Sequence, residues 1–229
     1  MANGLPISDP VSGYNPQNPC INREPRFYQS IIYDGAPWQG DIIYTRIGGN
    51  NQRAGGSDIT TTGYYGRKLL DESILGHTSL ATSPSSSNWT IFRYAEVLLN
   101  YAEAQNEAVG PDASVYNALL LVRQRAGLPN FPSGLSQSAM RTNIRRERRI
   151  ELSFEEMRWY DIRRWLITTG PNGVLTNPEY GMKIVNTGGV LSYTPILIFN
   201  NVFKDYQNWM PIPQSDLAKN SKLVQNTGY

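Results

Sequence analysis

The densest set of reactive side chains runs from Arg145 to Arg164. Seven arginines (Arg145, Arg146, Arg148, Arg149, Arg158, Arg163 and Arg164) alternate with Glu147, Glu151, Glu155, Glu156 and Asp161. Arginines next to Trp159, Tyr160 and Trp165 are the side chains that grip phosphates and stack on bases. Seven positive charges against five negative nearly cancel, however. The spacing also pairs Arg148 with Glu151, Glu155 with Arg158 and Arg158 with Asp161, each at i,i+3 on a helix. Arginine–carboxylate bonds are strong and geometrically specific. The expectation is a structural ion-pair network of Arg148, Glu151, Glu155, Arg158 and Asp161, and no nucleic-acid partner. Glu151 and Glu155 lie one helical turn apart, which suits the two carboxyls of a glycosidase. Their arginine neighbours would keep both ionised, whereas a general acid needs a raised pKa. No catalytic residue is assigned, and the chain is read as a non-enzyme.

Aromatic side chains on polar loops form the second set. Trp38 sits in Asp34-Gly35-Ala36-Pro37-Trp38-Gln39-Gly40, Tyr44 is close by, and Tyr64-Tyr65 follow a glycine-rich stretch holding Asn50, Asn51, Gln52 and Arg53. Sugars stack their C–H faces on such rings while amide and guanidinium groups bond the hydroxyls. The expected ligand-binding residues are Trp38, Tyr44, Asn51, Tyr64 and Tyr65. The competing reading is that each ring plugs a gap beneath a long loop. One Cys and one His exclude more. A zinc site takes about four ligands, mostly Cys and His, so Cys20 and His77 cannot build one, and no metal or cofactor is expected. Cys20 reads as a buried or capping thiol, His77 as a loop imidazole. Gly48 to Gly56 lacks the Gly-Lys-Ser/Thr or G-x-G-x-x-G of a phosphate cradle. No Gly-x-Ser-x-Gly elbow occurs, and Asn88-Trp89-Thr90 is a glycosylation triplet by pattern only.

The elements that position these residues divide the chain into three stretches. Residues 1–90 are loop-rich, with Pro6, Pro10, Pro16, Pro19 and Pro25 keeping the opening irregular. Arg26 to Tyr33 reads as a short helix or strand, Asp41 to Ile47 as a strand, and Ser79 to Asn88 as a loop. Residues 91–170 take a helical period. One helix runs from Phe92 to Ala108 and stops at Gly110-Pro111. Asp112 caps a second, with Val115, Ala118, Leu119, Val122 and Ala126 on one face. Gly127 closes it, so the pair forms an αα-hairpin of tetratricopeptide size. A third helix runs from Ser136 or Ser138 to Leu152, and a fourth from Phe154 to Ile167. Residues 171–229 read as loop and tail, with a strand candidate at Pro195 to Phe199. The fold class is mainly α: tetratricopeptide-like αα-hairpins with long irregular loops and a few short strands, organised as one domain.

Composition bounds the rest. The 229 residues are 17% charged, below the usual quarter, with a net charge of +2. That balance favours neither nucleic acid nor a membrane surface. No apolar run approaches the ~18–20 residues that span a bilayer, and no basic-then-apolar leader opens the sequence. A single helical hairpin cannot bury its own faces; such repeats need about three neighbours. The expectation is the C-terminal part of a longer protein.

Several motifs together resemble the C-terminal region of the SusD/RagB family. They are Arg23-Glu24-Pro25-Arg26-Phe27, the helix Arg93 to Ala104 (RYAEVLLNYAEA), Arg123 to Leu128 (RQRAGL), Arg146 to Leu152 (RERRIEL), Arg158 to Trp165 (RWYDIRRW), Trp209 to Gln214 (WMPIPQ) and the terminal Gln225 to Tyr229 (QNTGY). The chain departs from the family pattern at Glu155-Glu156, where Glu-Gly is common, and at Glu24 and Thr227, where Asp and Pro are usual. The resemblance implies a noncatalytic surface lipoprotein of Bacteroidetes-type bacteria. Such a protein binds oligosaccharide or polysaccharide at the outer membrane and delivers it to a SusC-like TonB-dependent transporter. The resemblance also implies that a preceding half carries the lipid-anchor Cys and most of the repeats; Cys20 lies in no lipobox. It transfers no sugar-binding residue, and loops 48–63, 74–90 and 171–203 are expected to set the specificity. The alternative is a helical-repeat adaptor that binds only protein.

Overall fold

The computed structural model describes residues 1–54, 59–74, 88–171 and 173–229. The chain is mainly α, with six helices among the described residues and short strands between them. Helix α1 (Pro25–Ser30) leads into strand β1 (Ile31–Ile32), which pairs antiparallel with β4 (Tyr65–Gly66). Strands β2 (Ala36–Trp38) and β3 (Asp41–Ile43) form a tight ribbon, with Trp38 opposite Asp41. Its two-residue turn, Gln39-Gly40, has positive φ at both positions (49° and 85°), which matches the right-handed twist of a hairpin. The strand expected over Asp41 to Ile47 therefore stops at Ile43. Beyond it, Tyr44 and Thr45 accept hydrogen bonds from Asn51 and Arg53 instead, which folds the chain back on itself.

The helical block contains α2 (Tyr94–Val109), α3 (Ala113–Arg125), α4 (Gln137–Glu151) and α5 (Met157–Arg164). Each boundary has a local cause. Gly110 at φ 95° ends α2. The Asp112 carboxylate accepts from the Ser114 and Val115 amides at 2.9 and 3.1 Å and starts α3. Ser136 Oγ accepts from Ala139 N and starts α4. Leu99 and Ala102 of α2, Val115, Leu119 and Val122 of α3 and Met140 and Ile144 of α4 make one buried core, closed by Phe131 and Leu152. At the far end of α2, buried Asn106 donates to Gln137 O while Gln137 donates back to Asn106 O, which joins α2 to the start of α4. The fourth helix is shorter than Phe154 to Ile167. Phe154 and Glu156 are both left-handed (φ 63° and 64°), as is Leu166 (φ 51°), so helix persists only between them.

Within 171–203, where a strand is expected only over Pro195 to Phe199, β5 (Glu179–Thr187) and β6 (Val190–Phe199) form the longest hairpin among the described residues. Its turn, Gly188-Gly189, also has positive φ at both positions (58° and 88°). The outer edge of β5 is covered by two loop contacts: Met182 N donates to Thr62 O, and Ile184 O accepts from Ile47 N. Across the hairpin, the Gln17 side-chain amide bonds both the N–H and the C=O of Tyr193, standing in for a strand. Gln225 does the same for Ile212 near the C-terminus, which also holds α6 (Gln214–Lys219) in place.

Candidate ligand-binding site

Trp38 ends β2, half-buried, where the Gln39-Gly40 turn reverses the chain. It lines a cleft of about 510 Å³ with Pro37, Asp41, Ile42, Arg67 and Glu72. The Arg67 guanidinium stands 5.8 Å from the Trp38 ring centroid, within cation–π range. Its orientation is set by three bonds: Nε and Nη2 donate to the two Glu72 oxygens at 2.7 and 2.8 Å, and Nη1 donates to Tyr28 O at 3.2 Å. The Arg67 hydrogen bond in turn holds the Glu72 carboxyl below its ordinary pKa. A ring face, a fixed guanidinium and two carboxylates therefore surround one shallow cavity. That arrangement takes a flat C–H surface together with hydroxyl groups.

The other expected rings stand apart from this cleft. The Tyr44 ring lies under the Arg46 guanidinium at 4.4 Å, and Arg46 is locked onto the buried Asp34 carboxylate. Asn51 closes the same loop through its backbone N–H to Tyr44 O at 3.0 Å. Tyr64 is half-buried near Cys20, Tyr14 and Tyr193, and desolvation pushes its hydroxyl well above the ordinary tyrosine range. The Tyr65 hydroxyl accepts from Thr60 N at 3.3 Å. Among the described residues no ring contact joins Trp38, Tyr44, Tyr64 and Tyr65. Trp38 and Tyr64 are both half-buried, and of the two only Trp38 lines the cleft. Arg67 and Glu72 are additions to the sequence reading; they flank Lys68-Leu69-Leu70-Asp71, which carries no binding motif. His77 and the loop around it lie outside the described residues, as do Gly55 and Gly56. Among the described residues no cluster of His, Cys, Asp and Glu has the grouping of a metal site.

Behind the cleft lies the charge network, and its partners differ from those the spacing suggests. Arg148 does not pair with Glu151; it forks onto Asp161, with Nε and Nη2 each 3.1 Å from a carboxylate oxygen. Glu151, 2% exposed, is instead surrounded by Arg26, Arg93 and Arg125 at 2.8, 2.5 and 2.5 Å. Glu155 meets Arg93 twice and also Lys68. Arg158 pairs with neither Glu155 nor Asp161 among the described residues, and Asp161 takes Arg164 at 2.8 Å. For Glu155 and Arg158 the cause is the break at 152–156, which puts Glu155 outside both helices. Arg148 and Glu151 share α4, and Arg158 and Asp161 share α5; there the carboxylates are taken by other arginines, Glu151 by Arg26, Arg93 and Arg125 and Asp161 by Arg148 and Arg164. Glu147 is buried between Arg26 (2.7 Å) and Arg123 (2.8 Å). Burial alone would raise the Glu151 carboxyl, but hydrogen bonds from Arg26 and Arg93 outweigh it and leave the pKa below its ordinary value. Through Arg26, whose Nη2 also meets Glu24 at 2.8 Å, the loop-rich stretch is clamped to the helical block.

These features define a class: tetratricopeptide-like helical hairpins carrying an irregular layer whose concave surface is aromatic and charged. The match goes further, since residues 1–229 fit the model of the SusD family, and the chain belongs to that family. It is 35% identical over 156 residues to a SusD-like protein of Formosa agariphila, covering 63% of this chain and 26% of that protein. Among solved structures, a SusD-like protein of Bacteroides fragilis superposes with a TM-score of 0.78 at 29% identity, covering all of this chain and 45% of that one. A second B. fragilis structure, described as a SusD-like carbohydrate binding protein, gives 0.68 at 26% identity, over 96% of this chain and 45% of that one. The chain thus spans less than half the length of these relatives.

Proposed function

We propose that this protein binds oligosaccharide or polysaccharide without cleaving it, at the outer surface of the outer membrane, and passes it to a SusC-like TonB-dependent transporter. The observation that carries this reading is the Trp38–Arg67–Glu72 cleft in a chain of the SusD family, one of whose solved members is described as carbohydrate binding. The cleft supplies a half-buried tryptophan beside fixed hydrogen-bonding groups. The carboxylates best placed for catalysis, Glu151 and Glu155, are held ionised by three arginines and a lysine, which suits binding rather than acid catalysis. No helix among the described residues is long and apolar enough to cross a membrane. Attachment through a lipid anchor on a preceding segment is part of the proposal and rests on membership of the SusD family.

The test is affinity electrophoresis through gels containing a panel of polysaccharides, with reducing-end analysis alongside. Retardation by one glycan is expected, reduced at least tenfold in apparent affinity by Trp38→Ala at unchanged Tm, with no new reducing ends. A protein-only adaptor is the second reading. It is favoured by one observation: α2 exposes Tyr94, Val97 and Tyr101 in a bare helical stripe. Absence of retardation by every glycan, with the transporter still captured, would select it.

A further inference from the structure

Lys68, the residue after Arg67, borders a separate pocket of about 220 Å³ together with Arg26, Arg93, Arg125, Gln29 and Glu151. The backbone at Arg67 and Lys68 is therefore common to this pocket and to the Trp38 cleft, and Arg67 N donates to Ser30 O beside the pocket at 2.8 Å. Three observations set the pocket apart from an ordinary gap between ion pairs.

The first is charge. Following the ion pairs outward from Arg26 gives a closed set: Arg26, Lys68, Arg93, Arg123 and Arg125 against Glu24, Glu147, Glu151 and Glu155. Five cations meet four carboxylates, so one positive charge is left over. Much of this set is buried, with the Arg26, Arg123, Glu147 and Glu151 side chains between 1% and 7% exposed. The surplus falls at the rim, on the most exposed cation of the set, Arg125, which shares Glu151 with Arg26 and Arg93. The second is the wall itself, in which the side chains of Arg26, Lys68, Arg93 and Arg125 converge on one pocket. The third lies at the rim. Arg125 is 57% exposed, and only its Nη2 is engaged, with Glu151; the Gln29 amide makes no hydrogen bond among the described residues. The pocket thus offers spare donors, one excess positive charge and room for a single small group.

We propose that this pocket takes one oxyanion, a carboxylate or a sulfate ester, carried by an acidic glycan. The inference rests on the glycan-binding reading and narrows its ligand from polysaccharides in general to uronic-acid or sulfated ones. A planar or tetrahedral oxyanion suits the forked donors of Arg125 and closes the charge balance, which a neutral sugar does not.

The experiment uses the full-length protein and paired polymers: a polyuronate against the same polymer with its carboxyls reduced to alcohols, and a sulfated galactan against its desulfated form. Affinities are measured by calorimetry at low and high salt, with inorganic sulfate and acetate as competitors. One acidic polymer is expected to bind at least tenfold more tightly than its neutral counterpart at low salt, with the gap narrowing as salt rises. Arg125→Ala is expected to abolish that gap while leaving affinity for the neutral form and Tm unchanged, and Gln29→Ala to reduce it severalfold. Which pair shows the gap tells carboxylate from sulfate. Equal binding of charged and neutral forms overturns the inference and leaves the glycan reading standing. An acidic preference that survives Arg125→Ala, with or without a fall in Tm, overturns it too, since Arg125 is then only structural. Protection by free sulfate with no acidic glycan bound overturns the assignment to a glycan. Failure to bind any glycan overturns both readings.

Discussion

Glu156 stands in left-handed backbone at φ 64° and ψ −4°, immediately before α5. Most L-residues pay roughly 1–2 kcal/mol there because Cβ crowds the carbonyl, and glycine does not. Replacing it by glycine also loosens the unfolded chain, at a cost of about 0.4–1 kcal/mol. Glu156→Gly is therefore expected to stabilise the protein by about 0.5 kcal/mol, seen as a higher denaturation midpoint at unchanged m-value. Cys20 offers a second test at this scale. Burial pushes its thiol up to about 11, so little thiolate exists near neutrality. Its alkylation rate at pH 8 should fall at least tenfold below that of a free thiol, and should climb steeply as pH approaches 11.

At the scale of elements, the β5–β6 hairpin depends on two glycines. Gly188 and Gly189 have open space where a Cβ would go, so any penalty for a side chain there comes from the backbone alone. Gly188→Ala is expected to cost about 1 kcal/mol in chemical denaturation, and Gly188→Asn distinctly less, because asparagine tolerates the left-handed region. The hairpin also shows why periodicity was a poor guide over 171–203. Gly188-Gly189 between alternating residues is a hairpin signal by itself, but flanking Asn, Thr and Pro residues resemble a loop. The three helices of the core, by contrast, carry their caps and breakers in the sequence: Gly110, Asp112 and Ser136 lie where the structure uses them. What was illegible was the pair of left-handed residues around Glu155, since neither Phe154 nor Glu156 advertises that conformation.

For the whole molecule, the decisive feature is the buried charge that ties residues 24–26 to α3, α4 and the 152–156 break. Glu151 and Glu155 both titrate below their ordinary value in the fold, Glu151 through Arg26 and Arg93, Glu155 through Arg93 and Lys68, each against the opposing effect of burial. A depressed folded-state pKa contributes stability that is fully present above the unfolded value near 4.3 and is lost as pH falls through the folded one. Tm should therefore hold from neutrality down to about pH 5 and drop steeply below pH 4. Glu151→Gln leaves three guanidiniums around a neutral group, and is expected to cost about 3–5 kcal/mol and flatten that acid limb.

The sequence alone determined the first three helices of the helical block, their caps and breakers, and the family resemblance, because these rest on local spacing and on motifs within single segments. It also offered Trp38 as a stacking ring, since a tryptophan among turn residues tends to stay near solvent. Only the tertiary structure decided which of the loop aromatics lines the cleft, as Trp38 does, and which stands apart from it, as Tyr44 and Tyr64 do. It alone set the partners of Glu151 and Glu155, which come from residues as distant as Arg26 and Lys68. Ion pairs and clefts form between segments far apart in the chain. Their geometry follows from how the loop layer packs on the helices, and no spacing within one segment encodes it.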